Sequence, residues 1–265
     1  MRPRLAPVAA LLAIAVAAPA AAFVLVTTPD DRPIAWRHRC VEAWLHTALP
    51  PALSAADTYS ALDEAVAAWN AVPCTWLRGA ERGFTCFDDV GLAFWPGPQD
   101  VVLWHSAPHS WQHAYRVVAL TSVTYDLRTG EIVDADIEMN GEDYAFAIDG
   151  RRDAYDLVQT LTHELGHVYG LDHTPVPDAT MFALSYAGEI AKRTLHPDDV
   201  AGLCASHPLS SAPGGSACQI AAAAPWEAPW CPVAPEPGCS AAGPLAPAAL
   251  LALLALRALR RRRAP

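Results

Sequence analysis

Basic residues are scarce in the body of this 265-residue chain. The whole sequence carries 18 Lys+Arg against 28 Asp+Glu, for a net charge of −10. Seven of the arginines (Arg2, Arg4, Arg257 and Arg260–Arg263) sit at the two ends, leaving 11 basic against 28 acidic residues, or −17. So acidic a body repels phosphate backbones and excludes a nucleic-acid partner. None of the 7 cysteines forms a C-x-x-C pair, which excludes the common structural zinc knuckles. Long apolar runs are missing too: those within Met1–Ala22 and Pro244–Leu256 are short for an independent membrane span.

The two ends carry signals. Arg2 and Arg4, an apolar run and Ala20-Ala21-Ala22 make residues 1–22 a secretory signal peptide, cut before Phe23. Export suits an oxidised cysteine framework. The simplest pairing is local: Cys74 with Cys86 and Cys218 with Cys231, while Cys40 with Cys204 ties the domain's start to its last helix. Sequence alone does not prove that connectivity. It leaves Cys239 single.

The stretch Thr162–Thr174 reads T-HELGHVYGLDH-T. His163 and His167, four residues apart, stack on one face of a helix and reach a single metal ion. Gly170 lets the backbone leave the helix through the left-handed region, and the returning chain supplies His173. Three protein ligands leave a tetrahedral zinc one open position for water, whose pKa falls from 15.7 to about 7. Glu164 is placed to take that water's proton. A chance match to all five fixed positions of HExxHxxGxxH is expected in only about 3 of 100,000 such chains, so incidental histidines are a poor explanation.

The motif resembles the metzincin clan of zinc metalloproteases. Met181, in D-A-T-M-F eight residues beyond His173, stands where the clan has its Met-turn. The resemblance implies an α+β zincin/metzincin fold: a twisted mixed β-sheet with an active-site helix, an N-terminal helix and a small C-terminal subdomain.

Along the chain, Cys40–His46 reads as a strand and Ser54–Asn70 as a helix capped by Ser54 and stopped by Pro73. Its Tyr59, Leu62, Val66 and Trp69 recur at helical spacing. Short strands are expected at Ala93–Trp95 and Val101–Trp104. The hairpin Val117–Tyr125 with Ile132–Met139 turns at Gly130. By resemblance, its first strand is the edge onto which an extended peptide adds. His105, His109 and His113 read as solvated loop histidines rather than a second zinc site. Asp134, Asp136, Glu138, Glu142 and Asp143 are candidate calcium ligands, and a solvated hairpin end explains them equally well. Asp153 is the expected cap of the active-site helix, which runs to about Tyr169. Its Leu157, Val158, Leu161, Leu165 and Val168 face the core, and its histidines point the other way. A last helix is expected over Pro197–Ala205.

The order H-T, then T-M-F, then L-H-P-D-D-V-A-G-L is similar to the matrixin family, over about Pro33 to Pro208. Carried over by motif, His163, His167 and His173 are zinc ligands, Glu164 the general base and Met181 the Met-turn residue. The family's Met-Tyr-Pro-x-Tyr reads Met181-Phe182-Ala183-Leu184-Ser185-Tyr186 here, with Tyr186 one place late as an oxyanion or pocket residue. A propeptide is not expected, and Cys40 is read as a disulfide partner rather than a latency switch on zinc. The segment 23–208 is the expected catalytic domain, 209–238 a Pro/Ala-rich linker, and 239–265 an end signal. Gly238-Cys239-Ser240, an apolar run and an arginine cluster resemble the myxobacterial C-terminal sorting signal, which makes Cys239 the processing and lipidation residue. A plain membrane anchor with positive-inside arginines is the alternative. The expectation is a secreted or surface-anchored, monomeric zinc endopeptidase acting on protein or peptide substrates. A catalytically idle binding or adhesion domain on the same fold is the competing reading, and a zinc hydrolase acting on another bond is the third.

Overall fold

The structure is a computed structural model, described over residues 22–50, 52–86, 90–91, 100–215 and 218. The expected strand at Ala93–Trp95 and the signals at both ends lie outside the described residues.

β1 (Val24–Leu25) leads to β2 (Cys40–His46), then α1 (Ala55–Asn70). Ser54 caps α1, accepting the Asp57 N–H at 3.1 Å through its side chain. β3 (Arg78–Thr85), β4 (Val101–Trp104), β5 (Ala119–Tyr125) and β6 (Ile132–Met139) follow. They form a five-stranded sheet with β2, in the order β3-β2-β4-β6-β5. Every pairing is parallel except β5 with β6. That hairpin turns at Gly130, whose φ of 71° is left-handed. A side chain there would meet the Pro33 carbonyl at 2.9 Å. β5 is an edge strand, half-buried along its whole length.

β7 (Phe146–Ala147) and β8 (Tyr155–Asp156) pair in parallel and lead into α2 (Leu157–Val168). β9 (Leu171–Asp172) then pairs with β1, and α3 (Pro197–Ser206) closes the domain, one residue longer than expected. α1 packs on β3 and α2, and α2 on β5 and β6, around one apolar core. Two indoles lock the helices polar end to backbone: Trp69 Nε1 donates to Thr162 O and Trp36 Nε1 to Val168 O, each at 2.8 Å.

The disulfides differ from the local pairing. Cys40 bonds Cys218 and Cys74 bonds Cys204, while Cys86 is also disulfide-bonded. Proximity along the chain misleads because packing brings remote segments closer. The Thr75 hydroxyl donates to His207 O at 2.7 Å, laying the exit of α1 against the end of α3. Arg39 Nε donates to Pro213 O at 2.9 Å, which draws the tail across the start of β2.

Candidate metal centre and active site

The active-site helix starts later than expected. Asp156, not Asp153, is the cap of α2, accepting the Gln159 N–H at 2.9 Å. Its carboxylate is buried and gripped by Arg193, with Nε to Oδ1 at 2.8 Å and Nη2 to Oδ2 at 2.5 Å. Asp153 stays in water, 84% exposed, paired only with Arg151 at 3.5 Å. The buried cap wins because its geometry is held from both sides.

Leu157, Val158, Leu161, Leu165 and Val168 are all buried in the core, as their shared arc requires. His163 and His167 leave the helix on the other side. Gly170 has a φ of 85°, and a Cβ there would sit 2.8 Å from the Ile34 carbonyl oxygen. Only glycine allows the chain to turn so tightly onto β1 and return His173 to the other two imidazoles.

The three rings converge. His173 Nε2 lies 3.2 Å from Nε2 of His163 and 3.2 Å from Nε2 of His167. His163 Nδ1 donates to Thr180 O at 2.6 Å and His167 Nδ1 to Leu171 O at 2.8 Å. In the neutral ring that arrangement leaves Nε2 with a bare lone pair. Burial, reinforced by the neighbouring imidazoles, pushes His163 down to about 3, and burial also lowers His173. Converging lone pairs repel one another unless a cation lies between them. Ligands at 2.0–2.1 Å from a tetrahedral zinc stand about 3.3 Å apart, so this donor set fits zinc. Among the described residues it is the only such group of three metal-ligating side chains.

Glu164 is buried beside the triad, and burial raises its carboxyl above the usual range, offset by His167 and Thr121. The Thr121 hydroxyl on β5 donates to Glu164 Oε2 at 2.7 Å. This couples the edge strand β5 directly to the carboxylate. Below the histidines lies Met181, 1% exposed. A Cβ on Gly166 would fall 2.2 Å from its sulfur, so helix and Met-turn touch where only glycine fits. Thr174 N donates to Met181 O at 3.0 Å, joining the residue after His173 to that turn. Asp199 on α3 accepts the Thr180 and Met181 N–H groups at 2.9 and 3.0 Å. Tyr186 is 65% exposed in the following loop, with its N–H on Glu189 Oε2 at 3.2 Å.

Sequence reasoning did not single out Thr121, Asp156 or Asp199 in these roles. A threonine on an expected edge strand carries no spacing signal toward a helix 43 residues on. Asp199 lies in the first turn of α3, and nothing in the H-P-D-D spacing points from there to the Met181 turn.

Two other clusters depart from expectation. His105 and His113 share one carboxylate: Glu138 Oε2 lies 2.7 Å from His105 Nε2, and Oε1 lies 3.1 Å from His113 Nε2. They are therefore not simply solvated. His109 is exposed, with a φ of 63°. Asp134 and Asp136 are fully buried, not at a solvated hairpin end, and Asp100 lies close by. Glu142 instead accepts backbone N–H groups of His109 and Trp111, and Asp143 accepts the Asn140 amide.

A family model for matrixins matches residues 35–207. The chain belongs to the matrixin family. Matrixins are zinc-dependent metalloproteases, and this matrixin brings together the three histidines that such a centre requires. It is similar to a hatching enzyme of Paracentrotus lividus, 30% identical over 142 residues, which is 50% of this chain and 22% of that relative. The matrixin thus spans about a fifth of that relative's length.

Proposed function

We propose that this chain is a zinc-dependent endopeptidase that cleaves extended peptides lying along β5. The observation that carries the reading is the convergence of three imidazole Nε2 atoms beside a buried carboxylate. His163, His167 and His173 would hold the metal. Zinc, when bound there, supplies Lewis acidity toward the carbonyl and a water acidic enough to lose its proton near neutrality. Glu164 accepts that proton as the water oxygen attacks the scissile carbonyl carbon. It then delivers the proton to the leaving amine nitrogen as the C–N bond breaks. Burial favours this exchange, since a raised carboxyl carries a proton more readily. Thr121 fixes the carboxylate, and the edge of β5, unpaired among the described residues, offers backbone groups to the substrate. Tyr186, on the exposed loop after the Met-turn, lines the pocket beside the cut bond and assists the oxyanion.

The signal at residues 1–22 and the Cys239 sorting signal support export and anchoring at the outer surface, where protein substrates are met. Calcium belongs to the same reading. Asp100, Asp134 and Asp136 are buried together, and both Asp134 carboxylate oxygens lack a partner among the described residues. Their oxygens do not converge as the three imidazoles do, but carboxylates are the hard ligands that calcium takes.

The deciding experiment is casein cleavage by the purified chain, repeated with a chelator and with Glu164→Gln. Activity abolished by both supports the enzyme. Zinc bound stoichiometrically with no turnover across a peptide library would favour the idle binding domain instead, although binding metal alone gives no reason for Glu164.

A further inference from the structure

The loop between β4 and β5 builds a cavity at one end of the edge strand. His109 and Arg116 in this loop have φ of 63° and 83°, left-handed values that side chains disfavour. Surrounding groups enforce that shape. Glu142 accepts the N–H groups of His109 at 2.7 Å and Trp111 at 2.9 Å. Trp111 is held edge-on between the imidazoles of His105 and His113, centroids 5.6 and 4.7 Å away. Asn140 Nδ2 donates to Val117 O and to Asp143 Oδ2, both at 3.0 Å, joining the cavity to the start of β5.

The resulting open cavity has a volume of about 400 Å³, with Trp111, Tyr115, His113, Glu142 and Asp143 on its walls. Its chemistry is aromatic and acidic. Tyr115 stands 79% exposed, and the two carboxylates have no lysine or arginine paired with them among the described residues. Aromatic faces beside carboxylates attract a flat or compact cation.

The cavity adjoins the start of the edge strand. Thr121 touches Glu164, and β5 begins two residues earlier, at Ala119. The turn at Tyr115–Arg116 carries the loop off the strand line and into the cavity wall. A peptide added along β5 leads toward the cavity as it passes the strand's start. We propose that this cavity binds an arginine or lysine side chain of the substrate, carried beyond the end of its pairing with β5. The proposal rests on the endopeptidase reading for its substrate.

The test uses the zinc-loaded full chain and dodecapeptides that carry a single arginine at successive positions, each matched to a glutamine control. Binding is measured on Glu164→Gln and cleavage on the unaltered chain. Arginine at one position toward the start of β5 should tighten binding and raise kcat/KM by about tenfold. Asp143→Asn and, independently, the exposed Tyr115→Ser should erase most of that preference while leaving glutamine peptides unchanged. Cleavage with no arginine preference at any position, or a preference that survives both substitutions, overturns the proposal alone. Arginine-selective binding with no cleavage of any peptide overturns the endopeptidase reading instead, and no binding of any peptide overturns both.

Discussion

Thr121 on the sheet edge donates its hydroxyl to Glu164 Oε2 at 2.7 Å, across 43 residues of chain. The strand on which we propose that a peptide adds thereby fixes the carboxylate proposed to handle the proton. Thr121→Val keeps the shape and removes the donor. A hydrogen bond to a charged group contributes about 1.5–3 kcal/mol, so kcat/KM should fall by at least about tenfold. Zinc content, read by metal analysis, should not change.

Asp199 anchors the Met-turn to α3 through Thr180 N, Met181 N and also His196 N at 2.8 Å. Asp199→Ala would strand three donors in the interior, at about 1–3 kcal/mol each. Calorimetry should show a Tm lower by about ten degrees or more. Because Thr180 O orients His163, zinc should also be stripped at lower chelator concentration.

Gly166→Ala tests the contact of helix and Met-turn. The new methyl would meet Met181 Sδ at 2.2 Å and Trp69 Cζ2 at 3.0 Å, both buried. Overpacking of this kind costs about 1–3 kcal/mol. The expected result is a lower urea midpoint together with weaker zinc retention, while Gly214→Ala, with nothing within 4 Å, should alter neither.

His207 links stability to acid. Its Nε2 accepts the Trp36 N–H at 3.1 Å, so the ring must stay neutral. Burial, aided by Arg37, pushes it from 6.5 down to about 4. The unfolded chain takes up a proton below 6.5 that the folded one refuses. Stability is therefore complete above that pH and falls as pH drops from 6.5 toward about 4, by about 3 kcal/mol in all. His207→Gln retains an acceptor and should flatten that limb of a urea-midpoint profile.

The buried carboxylates act in the opposite direction. Burial pushes Asp134 up to about 6 and Asp136 up to about 7, and Asp100 well above the ordinary range. Without a cation, their ionisation costs stability progressively as pH rises from about 4 toward 7. Calcium should raise Tm at pH 7.5 and do much less at pH 5. Asp134→Asn should abolish the calcium response in a thermal scan.

Much of this protein was legible along the chain because the information was local. Helical spacing on α2 placed His163, His167 and Glu164, Gly170 announced the turn toward His173, and alternation marked the β5–β6 hairpin. The true cap was not legible, since Asp153 and Asp156 both precede the helix and only Arg193, folded back from beyond the Met-turn, selects between them. Cysteine pairing failed for a related reason, as closeness in number stood in for closeness in space.

By itself, the sequence determined the chemistry: which atoms can bind a cation, which carboxylate can carry a proton, and which glycines must bend. Tertiary structure decided how those groups are held, through Thr121, Asp199 and the Arg193 clamp on buried Asp156, and where the acidic side chains lie. Periodicity encodes which face of one element a residue occupies, whereas a contact between elements depends on packing distances that no single segment contains.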